Sequence, residues 1–167
     1  VSNSQGLFSE YEMNLLVVED ERYLRGDVKR VFREKGWRGR ILLCREADEA
    51  IRVLDELRGR VLRQEEEFVP TVALVDYGWN DTVRDGLVQR FNTEVPPVIF
   101  LLWSGAVTAE MRKRYPGVTV LDKGNAHAAL AYDREIQGFS WTGFFDGAAE
   151  QHRMWFEAVY RRLERRG

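Results

Sequence analysis

Four apolar runs, each closing on a polar group, limit what this chain can fold into. Residues 14–20, NLLVVED, end on Glu19 and Asp20, and residues 71–76, TVALVD, end on Asp76. Residues 98–104, VIFLLWS, end on Ser104, and residues 118–123, VTVLDK, end on Lys123. Short continuous apolar runs read as strands buried on both faces, as in a parallel sheet covered by helices. In such sheets the carboxyl ends of the strands gather at one crevice. Three carboxylates, a hydroxyl and an ammonium are therefore expected in one place. That set can hold a divalent cation and a phosphoryl group.

The segments between the runs carry helical stripes. Leu24, Val28, Val31 and Phe32 recur at helical spacing after the first strand, and Gly36 and Gly39 punctuate the end. RILLC (40–44) is the second strand. A long helix follows, with Ala47, Ala50, Ile51, Leu54, Leu57, Val61 and Leu62 spaced by three and four. After Asp76, the stretch YGWNDTVRDG reads as a loop leading to a short helix bearing Leu87, Val88 and Phe91. TAEMRKR is a brief helix before the fifth strand, and Ala148, Trp155, Phe156, Val159 and Leu163 mark a closing one. A strand–helix alternation repeated five times implies an open parallel α/β sheet with right-handed crossovers. Residues 1–12 read as a flexible polar leader, 13–167 as one domain, and 124–147 as a segment inserted before the last helix. Within that segment Phe139, Trp141, Phe144 and Phe145 are expected to fold back over the core, because large aromatics are usually buried; the sharper reading makes them a partner or dimer surface.

Composition narrows the class. The chain has 167 residues, 44% hydrophobic and 31% charged, with a formal net charge of −2. Nothing in that balance points to direct nucleic-acid binding. The single cysteine, Cys44, lies in an apolar run and reads as a small core residue. With no membrane-length apolar stretch and no signal pattern, the expected location is the cytoplasm.

The motifs together resemble the receiver domain of two-component response regulators. VVEDE matches the acidic cluster after strand one, and LVD the phospho-accepting aspartate after strand three. LWSG matches the Ser/Thr followed by a small residue, LDKG the lysine after strand five, and DGL (85–87) the start of the third helix. The resemblance implies a flavodoxin-like, three-layer (βα)5 doubly wound sheet with strand order 2-1-3-4-5. It also implies Mg²⁺-dependent phosphoryl transfer from a sensor histidine kinase or phosphotransfer protein to Asp76. Asp20 and Asp76 would be direct metal ligands, Glu19 would act through water, and the Gly78 carbonyl would supply a further oxygen. Lys123 would pair with a phosphoryl oxygen or with Asp76, and Ser104 would donate to the phosphoryl group. The output would be a switched contact with a downstream protein or a homodimer, not an enzymatic activity on another substrate.

The pattern also departs from the family. Gly124 stands where a proline usually follows the lysine, and Val120 where an inward-turning aromatic is common. The loop after Asp76 reads as about two residues longer than usual. These departures motivate a rival reading, a degenerate receiver that binds partners without being phosphorylated. A haloacid-dehalogenase-like phosphatase also uses an aspartate nucleophile, but it needs a second aspartate two residues on, where this chain has Gly78. Singly, each residue has a structural reading. Glu19 and Asp20 suit a charged turn, Asp76 and Ser104 can cap, and Lys123 can be a surface lysine.

Overall fold

The computed structural model describes residues 6–133, 135, 136 and 138–166. Five strands, β1 (Asn14–Val18), β2 (Ile41–Cys44), β3 (Thr71–Asp76), β4 (Ile99–Ser104) and β5 (Val120–Asp122), form one sheet in the order β2-β1-β3-β4-β5. All four pairings are parallel, which gives the expected flavodoxin-like α/β sheet. Every residue of β1 and β3 is buried, as coverage on both faces requires. Because side chains alternate along a strand, Leu15, Val17, Val72, Leu74, Leu101 and Trp103 enter one core. Leu16, Val18, Ala73, Val75, Phe100 and Leu102 enter the other.

Among the described residues six helices cover the sheet: α1 (Arg22–Glu34), α2 (Ala47–Leu62), α3 (Asp81–Thr93), α4 (Ala109–Arg114), α5 (Lys123–Tyr132) and α6 (Trp141–Arg166). The first core is closed by Val31 and Phe32 of α1, Leu130 of α5, and Trp141 and Phe145 of α6. The second is closed by Ala50 and Leu54 of α2 and by Leu87 and Phe91 of α3. No described helix is long and apolar enough to cross a membrane.

Three expectations need correction. The stretch after Asp76 is a loop only over 77–80, because the Asn80 side chain accepts from the Val83 amide and starts α3 at Asp81. The segment 124–147 is not an insertion. Its first part is α5, and after a short connection with an antiparallel bridge between Ile136 and Phe139, α6 begins at Trp141. The long α6 thus follows five successive strand–helix units. The four aromatics do cap the core: Trp141 and Phe145 are fully buried, and Phe139 and Phe144 pack against them.

The leader also differs from its expectation over residues 6–12, while residues 1–5 lie outside the described residues. Phe8 is fully buried, with its ring 5.2 Å from those of both Phe32 and Phe145. Its amide donates to the Lys35 carbonyl at 2.8 Å. Gly36 makes this docking possible. Its φ is +89°, and a Cβ there would stand 2.6 Å from the Gly6 Cα. Farther along α6, buried His152 lies 3.3 Å from the Pro97 carbonyl, and burial holds its pKa below the ordinary value. The helix therefore passes the amino-terminal end of β4, opposite the crevice.

Candidate functional site

Asp76 closes the central strand, and its neighbours converge on it from two other chain segments. Lys123 Nζ lies 3.1 Å from Asp76 Oδ1 and 3.0 Å from Glu19 Oε2. Carboxylate oxygens of Glu19, Asp20 and Asp76 all lie within 4.8 Å of one another. The structure thus brings together Glu19, Asp20, Asp76 and Lys123 at the carboxyl edge of the sheet.

Local bonds fix each of these groups. The Glu19 amide extends the β1 ladder by donating to the Cys44 carbonyl at 2.9 Å. Arg25, from α1, donates through Nη1 to the carbonyls of Glu19 at 2.7 Å and Asp20 at 3.0 Å, which holds the acidic turn. The Gly78 amide donates to Asp76 Oδ1 at 2.9 Å, and a Cβ on Gly78 would sit 3.2 Å from that oxygen. Glycine therefore lets the loop lie directly over the carboxylate.

Lys123 is the first residue of α5 rather than the last of β5. The reason is Asp122, whose side chain accepts from the amides of Gly124 at 3.0 Å and Asn125 at 3.4 Å. Proline at position 124 has no N–H to donate. Gly124 thus supplies the shorter of the two cap bonds immediately beside the site, and Lys123 still reaches Asp76.

Three carboxylates face one ammonium here, and their protonation reflects it. Burial pushes the fully buried Glu19 up to about 7, with the Asp76 charge adding to it and Lys123 opposing. A hydrogen bond with Glu19 is the main influence holding Asp20 below the ordinary carboxylate range. Burial works against the charge on Lys123, but Glu19 and Asp76 outweigh it and raise its pKa.

Ser104 stands one residue beyond Trp103, the β4 partner of Asp76. Its hydroxyl is engaged locally, 3.2 Å from both the amide and the carbonyl of Ala106. Among the described contacts it does not meet Asp76. It does not cap α4 either, a role taken by Thr108.

The donor set fits a hard divalent cation. Glu19 Oε2 is buried and accepts no well-angled hydrogen bond, so Lys123 faces it as a charge alone. Carboxylate oxygens and a backbone carbonyl are the ligands that Mg²⁺ prefers.

Arg84 is the residue near the site that sequence reasoning missed. Only 2% exposed, it donates from Nη1 to the carbonyls of Tyr77 at 2.9 Å and Trp79 at 2.6 Å. The signal was there: Arg84, Leu87, Val88 and Phe91 share one helical face, and all four are buried. Reading 77–86 as loop concealed it. A separate groove of about 1040 Å³ opens at the opposite end of the strands, lined by Met13, Leu54, Leu57, Phe68 and Val95 among others. It contains none of the acidic cluster.

No family model matches the sequence, and no curated protein matches it. Among solved structures, a crystal structure of an alanine mutant of the receiver domain of the histidine kinase CKI1 from Arabidopsis thaliana is similar. The TM-score is 0.52 at 16% identity, covering 72% of this chain and 86% of that one. The fold is that of a receiver domain. At such identity the likeness is one of fold, and the residues at the crevice must carry any statement about chemistry.

Proposed function

We propose that this chain is a phospho-accepting receiver of a two-component signalling system, with Asp76 as the acceptor. One observation carries the reading. At the end of the central strand Asp76 meets Lys123 at 3.1 Å within a cluster of three carboxylates. The receiver fold, similar to that of a histidine-kinase receiver domain, supports it.

An Asp76 oxygen attacks the phosphorus of a phosphohistidine on a sensor kinase or phosphotransfer protein. The O–P bond forms as the P–N bond breaks, and the histidine nitrogen keeps the bonding pair and takes up a proton. Lys123 offsets charge on a phosphoryl oxygen and, before transfer, on Asp76 itself. The Ser104 hydroxyl, once released from Ala106, donates to another phosphoryl oxygen. Glu19, Asp20, Asp76 and the Gly78 carbonyl would hold Mg²⁺, which when bound supplies the charge that lets a carboxylate approach a phosphoryl group. The acyl phosphate then alters a protein-binding face.

Treatment with acetyl phosphate and Mg²⁺, read by intact mass, tests the assignment. One added phosphoryl group is expected on the wild type and none on Asp76→Asn. A normal gain in that variant removes Asp76 from the role. No gain on the wild type, with Mg²⁺ still bound, favours the unphosphorylated binding module.

A further inference from the structure

We propose that Arg84 is a positioning residue for the metal-binding loop, leaving the Gly78 carbonyl to the cation by occupying the carbonyls on either side of it. This rests on the receiver reading above and adds a residue to its machinery.

The observation is a buried guanidinium turned onto backbone. Arg84 Nη1 takes the Tyr77 and Trp79 carbonyls, and its Nε donates to the Tyr115 hydroxyl at 3.0 Å. Its Nη2 pairs with Asp81, and the guanidinium carbon lies 3.8 Å over the Tyr77 ring. Burying a cation is costly unless its donors are satisfied. Here the planar fork reaches five partners, and two are the carbonyls flanking Gly78. The Gly78 amide is already committed to Asp76. Among the described residues, the Gly78 carbonyl is the one of these three that accepts no hydrogen bond.

A lysine could not replace this fork, because one compact ammonium cannot bridge two carbonyls and a phenol in fixed directions. The bracing also extends outward. Tyr115 caps the end of α4, and its hydroxyl donates to Asp85, which Arg114 also holds at 2.6 Å. The loop that follows the acceptor is thereby tied to the α3–α4 side of the domain. Partners that orient metal ligands are commonly worth 10- to 100-fold in metal affinity.

The test is Mg²⁺ calorimetry on the full chain, comparing wild type with Arg84→Met, Arg84→Lys, Arg90→Met and Asp20→Ala. Circular dichroism confirms that each variant is folded. Arg84→Met is expected to weaken Mg²⁺ at least tenfold, with Arg84→Lys in between. Arg90→Met removes an α3 arginine that pairs with Asp55 and Glu94, so it lowers stability but leaves affinity within twofold. A merely structural arginine would behave like Arg90, so Arg84 variants that fold and bind Mg²⁺ within twofold of wild type overturn the proposal. If neither Arg84 variant folds, Tyr115→Phe decides: a two- to threefold weakening is expected, and unchanged affinity overturns it. Asp20→Ala separates the two readings. Its binding like wild type removes the metal site and the Arg84 role together, whereas its loss of binding while Arg84 variants bind normally removes only the latter.

Discussion

Burial and the Asp76 charge push Glu19 one way and Lys123 pulls it the other, and the balance makes its ionisation depend on what occupies the crevice. With a folded pKa of about 7, raised above its ordinary value of 4.5, native Glu19 holds its proton where the unfolded chain has lost it. Stability from this group is therefore present at low pH and lost as pH rises from 4.5 through about 7. Between pH 5.5 and 8, the metal-free protein should lose on the order of 2 kcal/mol from this source, at 1.36 kcal/mol per pH unit. Urea unfolding in chelator should show that loss in wild type and not in Glu19→Gln. Identical pH dependence in the two proteins would dismiss the assignment. Glu19, Asp20, Asp76 and Lys123 were legible in the sequence because each sits at or just beyond a strand end, where topology alone sets its position. Arg84 was not, because its significance lies in which backbone atoms it touches.

At the scale of elements, the sheet and the later turns of α6 were readable, and α5 and the start of α6 were not. β1 and β3 are apolar throughout, so their signal does not depend on finding a period. α5 is built largely of alanine and small polar residues, and α6 carries Gly143 and Gly147 in its first turns. Alanine-rich α5 carries no apolar stripe to read, and glycine, a poor helix former, makes the first turns of α6 read as punctuation until packing overrides propensity. Here the packing is aromatic: the Phe145 ring lies edge-on to Phe8 at 5.2 Å and Phe32 at 5.7 Å, and tilted to Trp37 at 5.1 Å. Phe145→Ala should therefore cost about 3–5 kcal/mol, whereas half-buried Phe156, which meets only Phe68 and Trp155 among the described rings, should cost much less when truncated. Equal, small losses in equilibrium unfolding would show that α6 is not part of the core.

Over the whole molecule, α6 divides into two regimes. Its buried residues are Trp141, Phe145, Ala148 and His152, and none follows His152 among the described residues. A helical segment of that remaining length is marginal in water without packing. Hydrogen exchange at low protein concentration should show slow amides through 145–152 and fast ones through 157–166. Uniform protection in a monomer would contradict this division. The root of α6 is held differently. Trp141 Nε1 donates to the carbonyl of Ala126, three residues past Lys123 on α5. From that root 26 residues run in one unbroken helix, about 39 Å at the usual rise per residue. The helix that leaves the core beyond His152 is thus rooted, at its other end, within one helical turn of the lysine that faces Asp76.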